Sequence, residues 1–431
     1  MIKKKKISAR FNLCRNIFSI SIQMDPLLLG KFYNFLIKEK KKSLFMMGFE
    51  KGTIPEYYIK ISYNKVIEKA LSEVFFSMNA HEKIINKLRQ NGLFINLYIK
   101  PKFIINLNEK LLEFKYEIFD RSVFKEILNK SKKFKIPIRK KYKDLDKQAE
   151  TIINQELINY QNNKNNFIEF NDWVKINIKI IDVNEQIEID EMSVEIWLNI
   201  SKELIDKELR DLFCGKNKGD KFSINSRFLQ EFICPDTFIP FLFSINILDI
   251  VKNSYFDFDI FSKYFKCKDQ NQLIQRIIDI LSFRNDISLR RETCQLVMKN
   301  LLQQYKVYID EEAINSCYNE IEKKILFNPD YLIFQADKMF YKNIKMLACR
   351  QTQELTLIDY LSFIDETKIS DEDVKLYLNI LQRPRLKDFL FFDNSLFQYQ
   401  SKATPFFHEI IKQMVLREKT LQNRINILIG I

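Results

Sequence analysis

Few side chains of this 431-residue chain are of the kinds that carry covalent or metal chemistry. Its histidines are His81 and His408, and neither has a cysteine or a second histidine at the spacing a zinc site needs. The cysteines, Cys14, Cys214, Cys234, Cys267, Cys294, Cys317 and Cys349, form no CxxC pair, are odd in number and read as reduced thiols of a cytosolic protein. GxSxG, GxGxxG and GxxxxGK[ST] are absent, so neither a nucleophile elbow nor a phosphate cradle is expected. Asp257 and Asp259 sit in an ordinary aromatic stretch, YFDFDIF, and each histidine reads as a surface or satisfied core residue. No metal and no cofactor is expected. Function is to be sought in surfaces.

The residues that suggest a surface lie in FMMGFEKGTIPEYY, Phe45 to Tyr58. The chain has only seven glycines, and two of them, Gly48 and Gly52, bracket Phe49, Glu50 and Lys51, with Pro55 following. Glycine permits positive φ, and proline disfavours helix at the residue before it, so this is a built loop. Its bulky member, Phe49, suits a docking tip. Candidate docking residues are Gly48, Phe49, Lys51, Gly52 and Pro55.

Charge supplies a second clue. Residues 1–145 hold 32 Lys+Arg against 13 Asp+Glu, a net +19, while the remainder is net −6. Lysine richness shared with Asn, Ile and Phe reads in part as a bias of codon usage, but the asymmetry survives that discount. A half with such excess suits an anionic surface, where phosphates drive binding through counterion release; a lysine-rich solvated face is the plainer reading. The opening MIKKKKISARFNLCRNIF lacks an apolar run, and TFIPFLFSINILDIV is broken by Pro240, Ser244, Asn246 and Asp249. A soluble, uncleaved, cytoplasmic protein is expected, with no membrane partner.

The elements that must position the loop follow from periodicity. IFSISIQ alternates as a half-buried strand, Asp25 and Pro26 open a helix striped by Leu28, Leu29, Phe32 and Leu36, and NKVIEKALSEVFFSMN places Val66, Ile67, Ala70, Leu71, Val74 and Met78 at helical spacing. Strands return in LFINLYIK and LLEFKYEIF. KSKKFKIPIRKKYK, with eight basic residues over 130–143, and QNNKNN at 161–166 read as a charged connector and a boundary. DWVKINIKIIDV, SVEIWLNI and FLFSINILDI alternate as strands of a small antiparallel sheet, with Gly215 and Gly219 turning into another. Beyond about 255 the pattern is helical: DQNQLIQRIIDIL leads into a long helix through RRETCQLVMKNLLQQY, and Ser370 with Asp373 opens another. The fold class is therefore α+β and multidomain: residues 1–125, a basic linker 126–166, a sheet domain 167–252 and a helical domain 253–431.

The order of these segments, together with GFEKGTIP, resembles trigger factor, the ribosome-associated bacterial chaperone family. Gly48, Phe49, Gly52 and Pro55 match its GFRxGxxP ribosome-binding loop. DWVKINIKIIDV and GKNKGDKFSI are similar to parts of the family's FKBP-like isomerase domain, and DQNQLIQRIIDIL, YKVYIDEEAI and ISDEDVKLYL follow in the family's order. The resemblance implies an N-terminal α/β ribosome-binding domain, an FKBP-like antiparallel sheet domain and an extended all-α C-terminal domain that cradles substrate. It implies as partners the large ribosomal subunit at the exit tunnel, protein and ribosomal RNA together, nascent unfolded polypeptides, and a second copy when off the ribosome.

Two departures qualify it. Glu50 replaces the family's Arg, so an interaction with acidic or phosphate groups is lost and docking leans on Phe49, Lys51 and the wider basic surface. INIKIIDVNEQIEI has neither the aromatic nor the glycine that the family sets after its first strand, and the family's PGF is replaced around LIDKELRDLF, so isomerase activity is expected to be weak or lost; Trp197 and Phe222 offer aromatic surface there but read as core. In the tail, FQADKMFYKNIKMLA offers Phe334, Met339, Phe340 and Met346 as substrate-binding side chains, since flexible Met and aromatic groups suit promiscuous contact. A basic RNA-binding protein with a helical oligomerisation tail is the alternative from another class, and an FKBP-type isomerase with basic targeting is a third.

Overall fold

The structure is a computed structural model, and it describes residues 9–14, 17–22, 26–80, 85, 94–95, 102–106, 111–115, 118–119, 124–126, 145–162, 167–182, 187–201, 207–234, 241–264, 267–269, 271–275, 284–307, 309, 311–326, 331–382, 390–392 and 405–429. Asp25, His81, the basic run 130–143 and the later part of LFINLYIK lie outside these residues. The chain forms two compact units. One comprises Met1–Asp120, Ile176–Ile196 and Gly219–Leu248, the other Arg121–Lys175, Trp197–Lys218 and Asp249–Ile431.

The first unit opens with a hairpin, β1 (Ala9–Cys14) and β2 (Ile17–Ile22), antiparallel with Ala9 opposite Ile22 and Cys14 opposite Ile17. The alternation of IFSISIQ identifies β2; its partner β1 is interrupted by Arg10 and Asn12 and carries no such signal. Helix α1 (Pro26–Ser43) starts at the proline, whose fixed φ suits a first helical position, and the short α2 (Glu56–Ser62) and α3 (Asn64–Phe75) follow the glycine loop. One π-helical turn, Phe76–Ala80, ends α3. Leu29, Phe32, Leu36, Ile67, Ala70, Leu71, Val74 and Met78 are buried as their spacing predicts, whereas Val66 faces solvent. Two short pairings complete the segment, β3 (Phe94–Ile95) with β6 (Ile118–Phe119) and β4 (Lys102–Asn106) with β5 (Leu111–Lys115) as a hairpin, while β7 (Phe124–Glu126) pairs inside the second unit.

The helices of residues 26–80 pack on residues 227–243. Phe241 stacks on Phe32 at 6.2 Å and on Phe35 at 6.1 Å between ring centroids, and Phe75 meets Phe32 edge-on at 5.7 Å. Ser77 Oγ donates to the Ile233 carbonyl at 3.1 Å, and the Cys234 thiol lies 3.4 Å from the Glu73 carboxylate. Rings this close contribute about 0.5–1.5 kcal/mol per pair beyond their burial, so segments some two hundred residues apart share one core.

Part of the stretch expected as a connector is helical, α4 (Leu145–Asn162); Ile153 is buried, whereas Leu157 and Ile158 face solvent, so its apolar stripe is too narrow to announce itself. The sheet comprises β8 (Trp173–Asp182), β9 (Ile187–Asn199), β10 (Lys221–Ile224), β11 (Leu242–Val251) and β13 (Phe406–Phe407) in the order β10-β11-β8-β9-β13. Val174, Ile176, Ile178 and Ile180, and likewise Phe241, Phe243, Ile245 and Ile247, are buried, which is the period of two doing its expected work. Helices α5 (Lys207–Phe213) and α6 (Arg227–Ile233) flank the turn where Gly215 (φ 81°) and Gly219 (φ 94°) reverse the chain.

In the second unit follow α7 (Phe258–Tyr264), α8 (Arg284–Gln304), β12 (Tyr305–Val307), α9 (Glu311–Leu326), α10 (Tyr331–Gln335), α11 (Phe340–Ile364), α12 (Asp371–Leu381) and α13 (His408–Ile429). β12 pairs antiparallel with β7, Tyr305 opposite Glu126. Its core gathers Trp173, Trp197, Phe256, Phe261, Val374, Tyr377, Ile411 and Val415. Charges are buried in pairs: Arg417 reaches Asp359 through two bonds of 2.8 and 2.7 Å, joining α11 to α13, and Lys252 Nζ reaches Asp172, Glu169 and the Phe167 carbonyl at 2.8, 2.8 and 2.9 Å. Three acceptors use all three ammonium donors, so this lysine is structural.

Candidate functional site

The glycine spacing of the loop has a geometric cause. Met46 and Phe49 close one β-turn, the Phe49 amide donating to the Met46 carbonyl at 3.1 Å, and Glu50 and Thr53 close the next, the Thr53 amide donating to the Glu50 carbonyl at 3.0 Å. The third position of each turn is glycine at positive φ, Gly48 at 89° and Gly52 at 86°. That is the requirement of a type II turn, and two turns of four residues laid end to end put the glycines four apart. The Thr53 hydroxyl adds a bond of 2.8 Å to the Glu50 carbonyl.

Rigid footings hold the double turn. Ile54 and Ile59 are wholly buried beneath it, and Pro55 occupies the N-cap of α2 with φ −61°. Tyr33 of α1 donates to Asn64 Oδ1 at 2.9 Å, and Asn64 donates to Glu68 at 2.8 Å, fastening α1 to the start of α3. The sequence-predicted residues Gly48, Phe49, Lys51, Gly52 and Pro55 are thus brought together in one protruding feature.

What that feature presents differs in emphasis from the sequence expectation. Phe49 leans on Tyr58, ring centroids 6.2 Å apart, and is 37% exposed; Met47, at the second position of the first turn, is 92% exposed and Phe45 80%. Tyr57 and Ile61 of α2 extend the apolar surface. Sequence reasoning missed Met47, although the second position of a turn is its most outward one.

A second apolar surface lies in the other unit. Helix α10 is YLIFQ, and none of its five residues is buried. Leu332, Ile333 and Phe334 face solvent, as do Met339, Tyr341, Met346 and Leu347 along the first turns of α11. The Asp337 carboxylate accepts from the amide of Met339, the residue that precedes α11, at 2.9 Å. Of the four substrate-binding candidates, Phe334, Met339 and Met346 are exposed. Phe340 is corrected: at 6% exposure it packs with Cys317, Ile321, Ile344 and Ala348, because every fourth residue of α11 faces α9. Leu332, Ile333, Tyr341 and Leu347 are additional members with no periodic signal, since a helix exposed all round has no stripe.

The remaining chemical candidates are structural. Trp197 donates from Nε1 to His408 Nδ1 at 2.9 Å inside the second core, and burial, with Lys175 and Lys412 nearby, pulls the His408 pKa down to about 3. His408 is thus a neutral acceptor. Phe222 is half-buried on β10. Among the described residues no group of three His, Cys, Asp or Glu could hold a metal ion, and no helix is long and apolar enough to cross a membrane.

No family model matches the chain, and no curated protein matches it. By structure it is similar to a solved chain reported under the words "Promiscuous Substrate Recognition in Folding and Assembly Activities of the Trigger Factor Chaperone", with 15% identity over 96% of this chain and 97% of that chain and a TM-score of 0.35. A score that low does not establish a shared fold, so a functional reading rests on the residues themselves.

Proposed function

We propose that this protein is a ribosome-associated chaperone that docks at the polypeptide exit of the large subunit and shields nascent chains, with weak or lost prolyl isomerase activity. Residues 1–125 carry the dock, 126–166 link, 167–252 form an isomerase-like domain without its pocket, and 253–431 supply the substrate surface. It acts in the cytoplasm and without ATP.

The observation that carries this reading is the double turn, a rigidly footed loop that holds Phe45, Met47 and Phe49 clear of their own core. Fully burying such side chains is worth about 1.5–3 kcal/mol each, and association costs about 4–15 kcal/mol, so three or four of them alone give weak, reversible docking. Lysines of the net +19 half add a salt-sensitive contribution from ribosomal RNA phosphates. Exposed Leu332, Ile333, Phe334, Met339 and Met346 supply a flexible apolar surface for unfolded chains, and modest affinity lets go of them as they fold.

A photocrosslinking side chain at Met47, incubated with vacant ribosomes, tests the dock: adducts with protein of the large subunit are expected, and adducts confined to RNA or to the chain itself would contradict the reading.

A further inference from the structure

The tip of the loop differs in charge from the chain half that bears it. Across Phe45–Ile61 the charged side chains are Glu50, Lys51, Glu56 and Lys60, a net of zero inside a half that is net +19. All four are exposed. Glu50 lies one residue from Phe49, at the first position of the second turn, where its carbonyl is engaged by Thr53; its carboxylate has no hydrogen-bond or ion-pair partner among the described residues. Glu50 follows Phe49 directly in the loop and is exposed, so its carboxylate accompanies that ring to any surface the ring enters.

Against phosphate that carboxylate is repelled. Against an apolar cleft with a cationic rim it gains an ion pair, and the pair is strengthened as the surrounding apolar groups exclude water. The +19 excess of this half lies outside the tip, whose own charges cancel, so contact with phosphate does not require the tip. We infer that Glu50 is a specificity-determining contact residue, and that the surface receiving the tip is protein: an apolar cleft bearing a Lys or Arg side chain that pairs with the Glu50 carboxylate. This rests on the reading of the loop as a dock, and it reverses the expectation that Glu50 merely weakens that dock.

The test compares the full-length parent with Glu50→Gln, Glu50→Lys and Phe49→Ala in binding to vacant ribosomes across a salt series. Both positions are exposed, so matched thermal melts confirm that only binding is altered. Glu50→Gln is expected to weaken binding about fivefold and Glu50→Lys about tenfold or more at low salt, the differences shrinking as salt rises. Phe49→Ala should weaken it at every salt concentration. Tighter binding by Glu50→Lys, with Phe49→Ala still defective, would overturn the inference and make the receiving surface phosphate, leaving the dock intact. No loss in Phe49→Ala would bring down both.

Discussion

Single residues fix the shape of the loop and its hold on the core. At Gly48 and Gly52 an added Cβ meets no atom within 4 Å, so substitution costs conformational strain alone. Gly48→Ala and Gly52→Ala should each lower stability by about 1 kcal/mol, read as a small drop in melting temperature, while misplacing Met47 and Phe49 enough to weaken docking. Lys252 is the opposite case. Lys252→Met removes the partner of Asp172, which is 1% exposed, and should destabilise by about 3 kcal/mol in urea unfolding, because a buried carboxylate loses its cation. The glycines are legible in the sequence, since their rarity and spacing mark a built loop, whereas its division into two turns appears only in the backbone hydrogen bonds. Lys252 is not, since in a chain this rich in lysine nothing local distinguishes the one whose ammonium is enclosed by three acceptors.

Elements add cooperative features that fail with pH or with a lost cap. Ser370 and Asp373 make the reciprocal capping box of α12, the Ser370 hydroxyl accepting from the Asp373 amide at 3.2 Å and the Asp373 carboxylate from the Ser370 amide at 2.9 Å. Ser370→Ala should cost about 1 kcal/mol, measured by chemical denaturation. His408 begins α13 with a folded pKa of about 3 against the ordinary 6.5. The unfolded chain therefore binds more protons between those values, and the contribution of neutral His408 is complete above pH 6.5 and lost as pH falls from there towards 3. Unfolding followed by the fluorescence of neighbouring Trp197 should show stability declining between pH 7 and pH 5, and His408→Gln, which retains an acceptor for the indole, should flatten that decline. The capping box and the alternating strands are legible because each is a local pattern. β1, α4 and the β7–β12 pairing are not: β1 is broken by polar residues, α4 has a narrow stripe, and β7 and β12 are three residues each, joined only by tertiary packing.

At the scale of the molecule, charge asymmetry and the order of strand-rich and helical segments are visible along the chain, but a discontinuous core is not, because periodicity reports which face is buried and never against what. Phe241 looks like any inward strand residue, yet it stacks on Phe32 and Phe35 of α1. Phe241→Ala should destabilise by about 3–5 kcal/mol and speed amide exchange in α1 as well as in β11; faster exchange confined to β11 would show that the packing is not cooperative. The exposed surface of α10 and α11 belongs to this scale too. Met346→Lys and Leu332→Lys should leave folding within about 0.5 kcal/mol while reducing suppression of aggregation of a denatured client, since both side chains face solvent.

The most direct measurement is cosedimentation of the full chain with vacant ribosomes, parent against Phe49→Ala, at one moderate salt concentration. The account predicts that the parent pellets with the ribosomes and that Phe49→Ala remains largely in the supernatant. Equal pelleting of the two proteins would contradict it and return the basic half to the role of an RNA-binding surface.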